Sequence, residues 1–276
     1  MSSAGGRDPV PAQDDGFSVA PERCYLVCAT PRSGSTLLCN SLEAAGVAGR
    51  PREYFWELRS PEVLRLLPAD SEMDRDAERA PTWSRDDYER HVAAALREGT
   101  TPNGVFGAKL MWSYFNDFLA LMRGIPRFAG LGDGSLLNAA LPELRYVFVS
   151  RSDKVRQAVS LWRALQTLVW QDTDVGAEQR EQRPVYSFDA IGHLLDQLRR
   201  HEDAWRGFFF RIGQRPLSLY YEDIAGDLEG TVGRVLDDLR IARPQDGLLA
   251  RQPLSRQSDE LSESWVQSYL EDVSRR

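Results

Sequence analysis

The chain is short of several things, and each shortage closes off a class of protein. It has three cysteines in 276 residues, an odd number too small for a disulfide framework, which points to a reducing compartment. Cys24 and Cys28 share one face of a strand, with no His or Cys partner at zinc-site spacing, so no metal is expected. Positive charge is in deficit: 34 Lys and Arg against 41 Asp and Glu leave a formal net charge of −7. A nucleic-acid protein would need a basic surface to neutralise phosphates, whereas a small anion in a local basic pocket stays compatible. No apolar run approaches the length of a membrane span, and residues 1–20 lack the apolar centre of a signal peptide. The expected location is the cytoplasm. Those first residues, rich in Gly, Pro and Asp, read as a disordered tail, which leaves 21–276 as one domain. The rest of the composition, 42% hydrophobic and 27% charged, is that of a globular chain able to bury a large core.

A more telling absence lies within Cys24–Leu38. This stretch begins as a short apolar strand, turns through Thr30-Pro31-Arg32-Ser33-Gly34-Ser35-Thr36, and continues with Leu37, Leu38, Leu42 and Ala45 at helical spacing. Strand, tight loop and helix start in that order aim backbone N–H groups and a helix dipole at one point, a site for phosphate or sulfate. Aligned with the nucleotide-binding pattern G-x-x-x-x-G-K-[ST] on Gly34 and Thr36, the chain has Ala29 at the first Gly and Ser35 at the Lys. That Lys neutralises the β- and γ-phosphates in kinases and ATPases. Here the cation is Arg32, a planar fork instead of a point charge. The loop therefore suits an anion other than a magnesium triphosphate, the competing reading being an ordinary Ser/Gly turn.

Further along, Gly46-Val47-Ala48-Gly49 ends the first helix, and Arg50-Pro51-Arg52-Glu53-Tyr54-Phe55-Trp56 sets a carboxylate ahead of three aromatics. Aromatic faces stack on sugars or bases, and a carboxylate among them is placed to act as a base; the alternative is a core cluster with Glu53 capping a backbone end. Ser84 with Asp86 and Asp87 predicts an N-cap for a helix to about Glu98. Gly104–Trp112 reads as a second strand carrying Lys109, either a snorkelling strand-end residue or a cation facing the anion loop. Residues 124–140, with several Gly and a Pro, read as an insertion. Leu144–Val149 is a third strand that runs into Arg151, Asp153 and a helix holding Ser160. A second strand-end cation suits a ligand with phosphates at both ends of a nucleoside, although a lone Arg there is commonly a surface residue. Residues 171–186 read as a lid. A long helix over Ile191–Phe209 contains His193, a rival base that is more often structural in such a setting. Leu217–Tyr221 is a fourth strand, followed by Glu222-Asp223 and a helix from about Leu228 to Leu239. Strands alternating with helices predict an α/β fold, a mainly parallel sheet flanked by helices, with ligands at the carboxyl ends of the strands.

Taken together, these motifs resemble the sulfotransferases that use 3′-phosphoadenosine 5′-phosphosulfate (PAPS), and specifically the Stf0 family of trehalose 2-sulfotransferases. The segments that carry the likeness are Pro31–Leu38, Gly46–Gly49 with Glu53, Asn103–Val105 with Lys109–Trp112, Arg151 through Trp162-Arg163-Ala164, and Arg256-Gln257 with Trp265. The resemblance implies a P-loop-like sulfotransferase fold, with Arg32, Ser33, Gly34, Ser35 and Thr36 around the 5′-phosphosulfate. It implies Arg151 and Ser160 at the 3′-phosphate, Arg256 also on the donor, and Glu53 as general base. Arg32 with the loop N–H groups would stabilise the leaving phosphate without a metal. Pro31, Arg50, Glu53, Tyr54, Phe55, Trp56 and Lys109 would face a carbohydrate acceptor, in a homodimer. The chain departs from the trehalose enzymes at Pro31, where they carry Gln, and at Arg50, where they carry Glu; the acceptor implied is trehalose-like, a glycoside or a glycolipid head group. A small-molecule kinase, disfavoured by Ser35, and a non-catalytic sensor of PAP (3′-phosphoadenosine 5′-phosphate) are the alternatives.

Overall fold

The computed structural model describes residues 21–55, 83–167, 169–170, 184–244 and 260–276. The sequence-derived tail over 1–20, Trp56, all of 60–82, residues 171–183 of the 171–186 lid, Arg256 and Gln257 lie outside them. Four parallel strands form one sheet in the order β2-β1-β3-β4. They are β1 (Arg23–Ala29), β2 (Val105–Met111), β3 (Arg145–Ser150) and β4 (Leu217–Tyr220). All four predicted strands are present within two residues of their expected ends. The helices are α1 (Ser35–Ala44), α2 (Arg85–Gly99), α3 (Trp112–Gly124), α4 (Asp133–Ala140), α5 (Lys154–Thr167), α6 (Phe188–Arg211), α7 (Tyr221–Gly226), α8 (Leu228–Asp238) and α9 (Glu260–Arg275).

β1 lies inside the sheet, and Cys24 through Ala29 are 0% exposed, as a parallel strand covered on both faces must be. β4, at an edge, buries one residue, Leu219. Helix starts follow their capping residues. Ser84 accepts from the Asp87 N–H at 3.2 Å ahead of α2, and Asp153 accepts from the Arg156 N–H at 2.9 Å ahead of α5.

The reading of 124–140 as an insertion is corrected. Pro126–Phe128 form a 3₁₀ turn and α4 follows, with Phe128, Leu136 and Leu137 in the main core. Gly and Pro supply the bends there, and the apolar residues between them are spaced to bury. The main core surrounds the sheet and includes an aromatic stack in which Trp205 of α6 meets Phe115, Phe208 and Phe209. A second apolar cluster joins α5, α6 and α9 through Val159, Leu165, Leu194, Trp265 and Tyr269. Among the described residues no helix is long and apolar enough to cross a membrane.

Candidate active site

Three of the predicted polar features gather at the carboxyl ends of β1, β2 and β3. After β1 the chain turns through Thr30–Gly34 into α1, with Thr30 and Ser33 0% exposed. Arg32 and Gly34 both have left-handed backbone, φ 60° and 84°, a conformation of the kind that gathers N–H groups into an anion nest. For a non-glycine residue that region costs on the order of 1–3 kcal/mol. Two hydrogen bonds from a charged guanidinium, each worth roughly 1.5–3 kcal/mol, can offset the cost: Arg32 Nε donates to Ser160 Oγ at 2.9 Å and Nη1 to the Trp170 carbonyl at 2.6 Å. Gly34 is the N-cap of α1, which has no side-chain cap and no acidic residue in its first turn. Its N-terminal N–H groups are therefore left for an anion.

The turn after β3 carries Arg151. Its guanidinium lies over the Tyr221 ring, 4.4 Å from the centroid, and burial lowers its pKa below the usual arginine range. The same ring abuts the loop, since a Cβ added at Gly34 would lie 2.6 Å from Tyr221 Cδ2. Tyr221 thus separates the two arginine turns and touches both. The neighbouring Glu222 carboxylate accepts from the N–H groups of Ser152 and Asp153 at 3.1 and 3.2 Å, fixing the entry to α5. Ser33 Oγ and Arg151 Nε are buried with no hydrogen-bond partner among the described residues. An unmet buried polar group costs about 1–3 kcal/mol, so a ligand with anionic oxygens at both turns fits what these residues lack.

The third feature lies on the β2 side. The segment Gly49–Phe55 runs beside β2, tied by Arg50 N–H to the Gly99 carbonyl at 2.8 Å and by Lys109 N–H to the Arg52 carbonyl at 2.9 Å. Gly49 is required there: its φ is 69°, and a Cβ would lie 2.6 Å from the Gly107 amide nitrogen. This path sets Glu53 against Lys109, with Nζ 2.9 Å from Glu53 Oε2 and 3.1 Å from Thr36 Oγ1. Tyr114 donates to Glu53 Oε1 at 3.0 Å. Lys109 is 7% exposed. Burial works against its charge, but the Glu53 carboxylate, with Cys39 nearby, outweighs that and raises its pKa. Each Glu53 oxygen keeps a second lone pair, and its side chain is 27% exposed, so it can still accept a proton from a bound hydroxyl.

The other sequence candidates are placed less centrally. Arg50 donates to the carbonyls of Glu98 and Thr100 at the end of α2. Phe55 is 5% exposed against Phe118 and His91, and Tyr54 stacks on Phe106, which is the core-cluster alternative. Pro31 is half-buried at the loop's start, its carbonyl accepting from Gln157 Nε2 at 2.8 Å. Ser160 engages Arg32, tying α5 back to the first loop. His193 is exposed, about 18 Å along α6 from Trp205, whose Nε1 donates to the Ala29 carbonyl at the end of β1. Sequence reasoning missed Tyr114 and Gln157. The signal for both was position: each lies in the first turns of a helix that follows a strand end.

The Stf0 sulphotransferase family model matches residues 24–272. Trehalose 2-sulfotransferase of Mycolicibacterium smegmatis is 36% identical over 271 residues, covering 91% of this chain and 96% of that protein. Trehalose 2-sulfotransferase of Mycobacterium tuberculosis is 37% identical over 277 residues, covering 92% and 96%. Among solved structures, that of retinol dehydratase in complex with androsterone and inactive cofactor PAP covers 91% of this chain and 81% of its own, at 16% identity and a TM-score of 0.29. A likeness that distant carries no argument. A match across nearly the whole domain, together with two relatives above one-third identity, places the chain in the Stf0 sulphotransferase family, as a sulfotransferase enzyme.

Proposed function

We propose that this enzyme moves a sulfuryl group from PAPS to a hydroxyl of a carbohydrate, with Glu53 as general base. The observation that carries the reading is Lys109, whose single ammonium group touches both Glu53, at 2.9 Å, and Thr36 of the anion loop, at 3.1 Å. A base and an anion cradle are thereby tied to one ammonium, which supports a hydroxyl at Glu53 facing a group seated in the loop. The sugar acceptor is supported by the two relatives, both named for trehalose. Pro31 and Arg50 mark where this chain's preference would depart from theirs. We also infer a homodimer from the resemblance.

The donor supplies, when bound, a sulfuryl group on a good phosphate leaving group. Ser33, Ser35, Thr36 and the N–H groups of the loop and α1 would hold the phosphate beside it, with Arg32 meeting the negative charge that grows there, as preorganised donors do. Arg151, with Ser160, would take the 3′-phosphate; the unpartnered Arg151 Nε supports this. Glu53 would accept the acceptor's proton, a role typically worth ~10²–10⁴-fold. Lys109 would keep the carboxylate oriented and add positive charge between the two substrates.

A thermal-shift titration with PAP tests the reading. PAP at ~100 times its dissociation constant is expected to add about 2.7 kcal/mol of stability. Arg151→Ala should abolish the shift. Glu53→Gln should keep it while transfer from PAPS to trehalose, or to a panel of glycosides, falls ~10²–10⁴-fold. No stabilisation of the wild type by PAP would overturn the proposal.

A further inference from the structure

The second turn of α5 contains a fully buried amide, Gln157, at 0% exposure. A buried amide must have its donors and its acceptor met. Gln157 Nε2 donates to Thr30 Oγ1 at 3.0 Å and to the Pro31 carbonyl at 2.8 Å. Its Oε1 accepts from Lys154 Nζ at 3.2 Å. Lysine can only donate, so Lys154 fixes which end of the amide faces the loop. Lys154 is itself held by Glu202 of α6 and donates to the Arg151 carbonyl. Glu202 is 3% exposed, and its other oxygen takes Arg206 at 3.2 Å.

In a trans peptide the C=O and the N–H point in opposite directions, and no cis bond is present among the described residues. Holding the Pro31 carbonyl on Gln157 therefore turns the Arg32 N–H the other way, away from α5. The Arg151 carbonyl, held by Lys154, turns the Ser152 N–H in the same manner, and that N–H is found on Glu222 at 3.1 Å. One lysine–glutamine pair sets the peptide planes of both arginine turns.

We propose that Gln157 is a positioning residue for the sulfuryl donor. By gripping the Pro31 carbonyl it aims the Arg32 N–H into the anion loop and holds Arg32 in its left-handed conformation. This rests on the reading above that the loop binds the donor's 5′ end.

The test is calorimetric titration of PAP into the wild type and three variants, with melting temperatures measured alongside. Gln157→Met removes the grip. Gln157→Glu keeps the volume and the Lys154 partner but turns an oxygen on the Pro31 carbonyl. Arg206→Met removes an outer partner of Glu202 and leaves the amide and the loop untouched. The two Gln157 variants should bind PAP about tenfold or more weakly, the loss expected when a donor to an anion is misaimed, while Arg206→Met, a change at an exposed ion pair, stays within about twofold of wild type. Gln157 variants that bind PAP like the wild type, whatever their melting temperatures, would overturn the inference. So would an Arg206→Met loss as large as theirs. Should Gln157→Met fail to fold, Gln157→Glu decides on the same criterion. Failure of the wild type to bind PAP would instead remove the functional reading beneath it.

Discussion

Gly34 shows how much a single position in this loop has to satisfy. It needs a left-handed backbone, φ 84°, and it has the Tyr221 ring where a Cβ would go. Gly34→Ala should cost roughly 1–2 kcal/mol from backbone strain. It should also push the ring against Arg151, so that PAP affinity falls with stability; urea midpoints and PAP titration on the same preparation would show both. The turn itself was legible in the sequence, because small hydroxyl residues around a glycine between strand and helix signal an anion loop. The tyrosine was not, since nothing local says which distant side chain will pack on a glycine. Phe55 illustrates the converse. A Glu followed by aromatics reads equally as a sugar platform or a core cluster, and only burial against Phe118 separates the two.

At the scale of elements, the repeated plan of strand, polar turn and helix was readable wherever a capping residue marks the join. β3 to α5 is such a case: Asp153 caps the helix, and Glu222 braces the turn from outside. Burial disfavours the Glu222 charge, but the N–H groups of Ser152, Glu222 and Asp153, with Arg151, outweigh it and lower its pKa below 4.5. The ionised form is thus the one the fold favours. Its contribution is present above pH 4.5 and lost as the pH falls through the folded value. Glu222→Gln should cost about 0.5–2 kcal/mol near neutrality, as loss of a cap does, and the gap to wild type should close in acid. Denaturant titrations at neutral and acid pH check it. At the join of β2 and α3 the sequence was silent. β2 passes directly into α3 through Met111, whose side chain makes no cap hydrogen bond, and the helix went unread.

For the whole molecule, the few cysteines have a consequence for alkaline stability. Burial pushes the Cys24 thiol from 9.0 up to about 12. Burial likewise takes Cys39 up to about 12 and raises Cys28 well above 9.0. In the unfolded chain these thiols ionise near 9.0, so between there and the folded values the unfolded state binds fewer protons and stability falls as pH rises. The slope is up to ~1.4 kcal/mol per pH unit for each such group. Urea midpoints should drop steadily above pH 9. A thiol reagent at neutral pH should leave the native protein untouched and label all three cysteines once it unfolds. Fold class was legible at this scale because parallel strands in a covered sheet must be continuously apolar, whereas the second cluster under α9 was not, since it is built from three helices that share no local pattern.

The strand order β2-β1-β3-β4 has one more consequence. Under the proposed function, recognition of the nucleotide lies on the β3 and β4 flank and the sugar's base on the β2 flank, with the loop after β1 common to both. Glu53 reaches that loop on a strip of chain joined to the sheet by one bridge, Arg52 to Ala108. Under that reading, substitutions confined to the strip should alter the choice of acceptor while the grip on the donor's nucleotide stays unchanged.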